Sequence, residues 1–309
     1  MILEALNLMD IFETLVSMTG EKNVLLNEPM KNHTSFRTGG AADIFVSPDG
    51  KDSLKEIVKL FKEKNIPFYI FGNGSNMLVS DRGIEGAVIH IGNGFSSVEV
   101  NGNEITVGAG VLLSSVASTA LENSLTGFEF ASGIPGSFGG AVFMNAGAYG
   151  SEIKNVIKSV LVLDESFQLK ELSKDEMELG YRSSVFQKKS YIILGGTIVL
   201  EKGNKDEILS RMNELNAKRR EKQPLNFASA GSTFKRPEGY FAGKLIEDSG
   251  LKGKTVGGAQ VSEKHAGFIV NTGDATTDDI LNLIDFCKKT VYEKFGVIIE
   301  PEVRITGRP

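Results

Sequence analysis

The sequence predicts an α+β protein of two or three domains, and three observations support that prediction. The chain of 309 residues is long enough for several domains, each with its own hydrophobic core. Residues 42–71 carry a strand, a helix and a second strand, whereas residues 87–200 carry many short strand patterns around one helix. A third segment, from about residue 226, closes with a long amphipathic helix.

Helices are predicted where apolar residues recur every three or four positions. The segments with this period are 8–18, 51–65, 112–121, 206–222 and 277–295. Asn65 and Pro67 end the second of them, and Asp278 and Asp279 favour the start of the last. Cys287 lies on the apolar face of the last helix, so we expect it to be a core residue.

Strands are predicted for short apolar or alternating runs bounded by turn residues. These runs are 42–46, 68–71, 87–91, 97–100, 104–107, 158–163, 168–172 and 191–200. Asn101-Gly102 between two of them is a strong hairpin signal. A polar stretch at 226–232, after Pro224, reads as a linker between the second segment and the third.

Composition excludes several classes of protein. A net charge of −5 gives no reason to expect nucleic acid or an anionic membrane as partner. No run of about 18 apolar residues predicts a membrane span, and the acidic residues of the first helix argue against a signal peptide. The single cysteine fits a reducing compartment, so we expect a cytoplasmic protein. No His and Cys cluster has metal-ligand spacing, and no metal is expected.

The segment 127–150 is dense in glycine and contains one charged residue, Glu129. Glycine allows positive φ and lets main chain lie directly against a ligand. We therefore interpret the segment as main chain wrapped around a large flat cofactor. The alternative is a set of tight turns in a strand-rich domain.

A second glycine cluster, Gly72-Asn73-Gly74-Ser75-Asn76, directly follows the strand 68–71. It is not a dinucleotide-binding fingerprint, because Met77 stands where the third glycine or alanine is required. The Gly253-Lys254-Thr255 run elsewhere is not a nucleotide-triphosphate loop either, because Asp248 replaces its leading glycine. A strand followed by successive amides instead suggests a nest for an anionic diphosphate.

Seven short motifs, in this order, make the chain from about residue 32 to 304 resemble one known family. They are TSFRTGG (34–40), GNGSN (72–76), SGIPG (132–136) with GGA (139–141), NAGAYG (145–150), YRSSVF (181–186), AGSTFK (230–235) and EPEVR (300–304). The family that they resemble is the UDP-N-acetylenolpyruvoylglucosamine reductases.

The resemblance implies an FAD-binding fold of the vanillyl-alcohol-oxidase type in two parts, residues 1–85 and 86–225. A third α/β domain, residues 226–299, would bind the nucleotide sugar, and residues 300–309 would complete the active site. The implied reaction is reduction of UDP-N-acetylglucosamine enolpyruvate by NADPH through FAD, which forms UDP-N-acetylmuramate for peptidoglycan.

Three catalytic residues follow from the resemblance. Arg182 matches the family's arginine, whose guanidinium can fork onto the substrate carboxylate. Ser232 matches the proton donor, and Glu302 matches the acid that helps to stabilise the enol.

Binding residues follow in the same way. Those implied for the cofactor are Arg37, Gly72, Asn73, Gly74, Ser75, Asn76, Ser132, Gly133, Ile134, Gly136, Gly140, Asn145, Ala146 and Gly147. Those implied for the substrate are Tyr149, Lys222, Lys235 and Lys244, although the last two could be ordinary surface lysines.

The chain departs from the larger members of the family at two places. Arg236 stands where they have asparagine. Only residues 187–190 separate Phe186 from the next predicted strand, so the chain lacks their insertion with its phosphate-binding tyrosine. The chain therefore resembles the compact form of the family.

Two other functions stay open. One is a different FAD-dependent oxidase on the same fold, which would keep the glycine segments without needing Ser232 and Glu302. The other is a nucleotide-sugar sensor that has lost turnover.

Overall fold

Helices and sheets are mixed along the whole chain, as the sequence predicts. The protein is represented by a computed structural model that describes residues 2–309. The α-helices of this range are α1 Ile2–Thr19, α2 Lys51–Glu63, α3 Leu113–Glu122, α4 Phe138–Met144, α5 Ile153–Val156, α6 Lys205–Lys222, α7 Ala242–Asp248 and α8 Thr277–Phe295. None of these helices is long and apolar enough to cross a membrane.

The strands are mostly short. They are β1 Val24–Pro29, β2 Ala41–Val46, β3 Phe68–Phe71, β4 Met77–Val79, β5 Ile84–His90, β6 Val98–Asn101, β7 Glu104–Gly108, β8 Leu125–Thr126, β9 Gly147–Ala148, β10 Ser151–Glu152, β11 Ile157–Leu163, β12 Leu169–Ser173, β13 Ile192–Val199, β14 Glu201–Lys202, β15 Thr255–Val256, β16 Ala259–Val261, β17 Ile269–Asn271 and β18 Arg304–Thr306. All the predicted helices and strands are confirmed, with ends that differ by a few residues.

Three short helices, α4, α5 and α7, are absent from the sequence-based prediction, and α5 has only four residues. α4 contains Gly139 and Gly140, and glycine is a poor helix former. α7 has seven residues, too few to show a periodic apolar face. All three helices therefore depend on tertiary contacts, as short helices generally do.

The chain divides into two compact units. Unit one contains residues 2–28, 43–73 and 86–217, and unit two contains residues 29–42, 74–85 and 218–309. Each unit has its own cluster of buried apolar side chains. The domain boundaries after residues 85, 225 and 299 stay predictions.

The first sheet of unit one has the strand order β1-β2-β5-β3. Strands β3 and β5 are parallel, and α2 lies between β2 and β3 in the chain. Ile11 and Leu15 of α1 and Leu54 and Phe61 of α2 are buried in the same core. The glycine cluster at residues 72–76 begins at the carboxyl end of β3, where open α/β sheets commonly bind ligands.

The second sheet of unit one is antiparallel, with the order β12-β11-β13-β7-β6. Its central strand β13 contains Gly196. A Cβ at this position would lie 3.3 Å from the ring of Phe138 in α4. Glycine there lets α4 pack closely on the sheet, so the sheet supports the glycine-rich segment 127–150.

In unit two, α8 packs on the antiparallel sheet β15-β16-β17. Its predicted apolar face is buried and consists of Ile280, Leu283, Ile284, Cys287 and Val291. Burial raises the pKa of the Cys287 thiol to about 12. The prediction that Cys287 is a core residue is confirmed.

Unit two also includes two segments from the first third of the chain. Strand β4 pairs in parallel with β18, so that Leu78 lies opposite Ile305. Phe36 and Leu78 are fully buried in the same core as α8. The amide of Asn271 donates to the carbonyl oxygen of Phe36 at 2.9 Å. The second half of the glycine cluster, from Gly74, thus belongs to the same unit as the end of the chain.

Asp81 caps the amino terminus of α8 from one of these segments. Its two carboxylate oxygens accept hydrogen bonds from the main-chain N–H groups of Thr277 at 2.9 Å and Asp278 at 3.0 Å. Thr276 accepts from the N–H of Asp279 at 3.0 Å in a capping box. The capping carboxylate also complements the positive end of the helix dipole.

We expect Asp81→Ala to lower the free energy of unfolding by about 1–2 kcal/mol, because two N–H groups of α8 lose their acceptor. Urea denaturation measures this change. Asp278→Ala is the control, since it removes a negative charge at the same helix end without removing that acceptor. Equal losses in the two variants would contradict the capping role of Asp81.

Candidate active site

The glycine-rich segment 127–150 is held against the second sheet of unit one by main-chain hydrogen bonds. The N–H groups of Phe138 and Gly139 donate to Val111 and Ala109, each at 2.8 Å. A Cβ at Gly139 would lie 2.9 Å from the Cβ of Ala109, so only glycine fits there without movement. Eight predicted cofactor residues lie in this segment: Ser132, Gly133, Ile134, Gly136, Gly140, Asn145, Ala146 and Gly147.

Several main-chain amides of the two glycine clusters have no acceptor within the protein. Among the described residues, the N–H groups of Gly72, Asn73, Gly74 and Ser75 make no hydrogen bond, nor do those of Gly133 and Gly136. Successive N–H groups without protein acceptors are the feature of an anion-binding nest. The segment 72–75 therefore fits the diphosphate of a dinucleotide cofactor such as FAD.

Gly74 is also required by the packing of the protein itself. Its φ is +60°, and a Cβ there would overlap the carbonyl oxygen of His33. The N–H of Ser35 donates to the carbonyl oxygen of Gly74 at 3.2 Å. Gly74 thus brings the segment 33–37 of unit two, which includes the predicted cofactor residue Arg37, against the cluster.

Ser232 and Glu302, the predicted proton donor and acid, lie on two neighbouring segments of unit two. The N–H of Glu302 donates to the carbonyl oxygen of Thr233 at 2.7 Å, and Phe234 is bridged to Pro301. Ser232 is exposed and Glu302 is half-buried. The structure therefore brings together these two residues, which are 70 positions apart in the sequence.

Asn76, a predicted cofactor residue, lies beside Glu302 in unit two. Its side-chain amide donates to the carbonyl oxygen of Glu302 at 3.1 Å. Its own carbonyl oxygen accepts from the N–H of Arg304 at 3.0 Å. Burial lowers the pKa of Arg304 from its ordinary value.

Arg182 occupies a tight turn of unit one. Gly180 and Ser183 exchange both main-chain hydrogen bonds, at 3.0 and 3.2 Å, so that Tyr181 and Arg182 form the two-residue loop. The φ of Arg182 is +50°, a left-handed value that is costly for a residue with a Cβ. Its guanidinium lies 5.3 Å from the centre of the Tyr181 ring.

Asn145 supports the turn that carries Arg182. Its side chain is fully buried, and its amide donates to the carbonyl oxygen of Gly180 at 2.9 Å. Its carbonyl Oδ1 accepts from the N–H of Lys154 at 2.9 Å. The contacts that the structure shows for this side chain are therefore structural, and its predicted role in cofactor binding stays a prediction.

The predicted substrate residues are mostly engaged within their own units. Lys235 forms an ion pair with Glu300 at 3.1 Å. Lys244 pairs with Asp248, and this hydrogen bond raises the pKa of Lys244. The hydroxyl of Tyr149, in unit one, donates to the carbonyl oxygen of Leu215 at 3.1 Å. Lys222 is exposed at the end of α6.

Left-handed main chain is concentrated at the predicted site residues. Nine non-glycine residues of the described chain have positive φ, and four of them are Arg37, Asn145, Tyr149 and Arg182. Such residues cost about 1–3 kcal/mol each and cluster where function requires a particular side chain. The left-handed conformation of these four residues is shown, and their roles stay predictions.

The site residues divide between the units as follows. Unit two holds Arg37, Gly74, Ser75, Asn76, Lys222, Ser232, Lys235, Lys244 and Glu302. Unit one holds Gly72, Asn73, the segment 127–150 and Arg182. Their catalytic and binding roles stay predictions. Sequence analysis missed Thr233, although its place next to Ser232 in a recognisable motif was a usable signal.

A metal ion is not suggested by the side chains. Among residues 2–309, no group of three or more His, Cys, Asp and Glu side chains is arranged to hold one.

Comparison with known proteins finds two family models along the chain. Residues 42–173 match an FAD binding domain. Residues 223–306 match the C-terminal domain of UDP-N-acetylenolpyruvoylglucosamine reductase. These matches confirm the predicted FAD-binding fold with a further domain of the reductase type.

Full-length relatives are similar over nearly the whole chain. The UDP-N-acetylenolpyruvoylglucosamine reductase of Clostridioides difficile (strain 630) is 53% identical over 302 residues, 98% of this chain and 99% of the relative. That of Alkaliphilus oremlandii (strain OhILAs) is 54% identical over 296 residues, 96% of this chain and 97% of the relative. The crystal structure of the reductase from Thermus caldophilus superposes with a TM-score of 0.78 at 34% identity, over 91% of this chain and 97% of that one.

We expect Gly74→Val to abolish the yellow colour of bound flavin, because the new side chain would overlap His33 and force the φ of a β-branched residue to +60°. The measurement is the ratio of absorbance at flavin and protein wavelengths after purification. Gly50→Val is the control, since a Cβ at Gly50 meets nothing within 4 Å. Full flavin occupancy in Gly74→Val would show that this backbone is not needed for binding.

We expect Arg182→Gly to unfold with a free energy about 1 kcal/mol higher than Arg182→Ala, because glycine removes the cost of the left-handed conformation. Both variants lose the guanidinium, so the difference isolates the backbone. Urea denaturation of the two proteins measures it. An alanine variant as stable as the glycine variant would show that the turn is not strained.

Proposed function

This chain belongs to the UDP-N-acetylenolpyruvoylglucosamine reductase family, and on that premise we propose that it converts UDP-N-acetylglucosamine enolpyruvate to UDP-N-acetylmuramate. It is an FAD-dependent oxidoreductase of peptidoglycan precursor synthesis, and it uses FAD and NADPH. It is of the compact form, because only residues 187–191 separate Phe186 from β13. Cytoplasmic action fits the single cysteine, which is reduced and buried.

The structural observation that carries this proposal is the pairing of the Ser232 and Glu302 segments in unit two. Thr233 and Glu302 share a main-chain hydrogen bond of 2.7 Å. The segments of the proposed proton donor and the proposed acid are therefore hydrogen-bonded neighbours, which supports their acting on one substrate. A different oxidase on the same fold would have no need of this arrangement.

The cofactor fits the main chain that the structure provides. The N–H groups of residues 72–75, which have no acceptor in the described chain, can bind a diphosphate, and Gly74 lets the main chain adopt a φ of +60° beside His33. Bound FAD supplies the hydride transfer, with NADPH as the source of electrons and the terminal vinyl carbon as their destination.

The side chains stabilise the negative charge that develops on the substrate and supply the proton. When a hydride reaches the terminal carbon, negative charge develops on the carbon that bears the carboxylate and spreads into that carboxylate. Arg182 binds the carboxylate with its guanidinium fork. Ser232 donates a proton to the same carbon, and Glu302 stabilises the enol form. One hydride and one proton are thus added across the double bond.

Substrate binding beyond the reacting group falls to the lysines. Lys222, Lys235 and Lys244 supply positive charge for the UDP diphosphate and for the phosphates of NADPH. Lys235 and Lys244 are each paired with a carboxylate, so a diphosphate must compete with Glu300 or Asp248 for them. Exposed ion pairs of this kind are weak, so a diphosphate can replace the carboxylate at little cost in free energy.

Anaerobic rapid mixing tests the proposal. The yellow flavin should bleach with NADPH and recover when UDP-N-acetylglucosamine enolpyruvate is added. Ser232→Ala should bleach at about the normal rate, while its recovery with the substrate should slow by about 10²–10⁴-fold, because only the second half-reaction needs the proton. Ser229→Ala, a serine on the same segment, should behave as the wild type.

Each other outcome identifies a rival. Recovery of the wild type with oxygen alone, at the same rate as with the substrate, would favour an oxidase. Bleaching without any recovery on the substrate would favour a nucleotide-sugar sensor. Equal slowing of both half-reactions in Ser232→Ala would contradict its role as proton donor.

A further inference from the structure

The main chain of Glu302 is held on both sides within unit two. Its N–H donates to the carbonyl oxygen of Thr233 at 2.7 Å, and its carbonyl oxygen accepts from the side chain of Asn76 at 3.1 Å. Two residues earlier, the carbonyl oxygen of Glu300 accepts from the N–H of Lys235 at 2.9 Å. The main chain at Glu302 cannot shift relative to Thr233 and Asn76 without breaking these hydrogen bonds.

Thr233 is the residue at which these contacts meet. It is 1% exposed, and its N–H donates to the carbonyl oxygen of Gly267 at 2.8 Å. Its side-chain hydroxyl Oγ1 accepts from the N–H of Ile269 at 3.0 Å. With the bond to Glu302, Thr233 has three hydrogen bonds to two separate segments of unit two. As a β-branched residue it also has restricted side-chain rotation.

Ser232 directly precedes Thr233 and is exposed. One peptide unit separates the two Cα atoms, so the bonds of Thr233 determine where the backbone of Ser232 lies. The same residue therefore sets the position of Ser232 through the chain and that of Glu302 through a hydrogen bond.

We propose that Thr233 is a positioning residue that keeps the hydroxyl of Ser232 and the carboxyl of Glu302 at a constant relative position. This inference rests on the proposed function, in which these two groups act on one substrate. A displacement of about 1 Å of a reacting group can cost about 10²-fold in rate. The buried hydrogen bonds of Thr233 fix the main chain next to Ser232, which a flexible segment at this point would not do.

The hydrogen bond from the N–H of Ile269 to Oγ1 of Thr233 can be removed by a substitution that leaves the main-chain hydrogen bonds of Thr233 in place. Thr233→Val keeps the shape and the main-chain bonds but leaves the buried N–H of Ile269 without its acceptor, so the local backbone must shift. Thr233→Ser keeps the acceptor and is the matched control. Both variants leave every residue assigned to flavin or substrate binding unchanged.

In anaerobic rapid mixing, we expect Thr233→Val to bind FAD and to be reduced by NADPH within about 2-fold of the wild-type rate. Reoxidation by the enolpyruvyl nucleotide should fall by about 10–100-fold, because that step alone uses Ser232 and Glu302. The solvent deuterium isotope effect on the rate of reoxidation should rise, since proton transfer then becomes slower than hydride transfer. Thr233→Ser should restore reoxidation to within about 3-fold.

If Thr233 has only a structural role, Thr233→Val should slow both half-reactions equally, or should lower thermal stability without slowing either of them. In both cases the isotope effect should stay unchanged. Each of these results would overturn the proposal. If Thr233→Val does not fold, Thr233→Cys is measured instead, because its thiol is a weak acceptor of similar size. An unchanged ratio of the two half-reaction rates in Thr233→Cys would also overturn it. A wild-type protein that the substrate does not reoxidise would instead overturn the proposed function itself.

Discussion

The hydrogen bond from the N–H of Glu302 to the carbonyl oxygen of Thr233 is the interaction on which the unit-two part of the predicted site depends. It joins the last segment of the chain to the segment that carries Ser232. The parallel pair β4–β18 then brings Asn76, from the end of the glycine cluster, to the same main chain. Within unit two, Asn76, Ser232 and Glu302, three predicted site residues, thus lie on main chain joined by hydrogen bonds, although they come from three distant parts of the sequence.

In unit one, the equivalent constraint is on backbone conformation. Arg182 has a left-handed φ that glycine would adopt at less cost, and Asn145 holds its turn through the carbonyl oxygen of Gly180. Left-handed backbone costs an ordinary residue about 1–2 kcal/mol. A cost of that size is tolerated where the side chain itself is required, which is the situation expected of a guanidinium that binds a carboxylate.

Glycine serves two different purposes in the clusters. The N–H groups of residues 72–75 remain available to a diphosphate. Gly74 and Gly139, however, are also demanded by protein atoms, since a Cβ would meet His33 or Ala109. Part of the glycine richness therefore reflects close packing within the protein, and the cofactor site that it predicts stays a prediction.

The sequence by itself determined the α+β class and the long helices such as 277–295 with its buried Cys287, and it supplied the motifs from which the site is predicted. These follow from apolar periodicity, turn residues and short motifs, which are local properties of the chain. Only the tertiary structure decided the short helices α4, α5 and α7, the bond of Asn145 to Gly180 and the hydrogen bond that joins Thr233 to Glu302. Hydrogen bonds between residues far apart in sequence impose no local period, so apolar periodicity and turn residues could not reveal them.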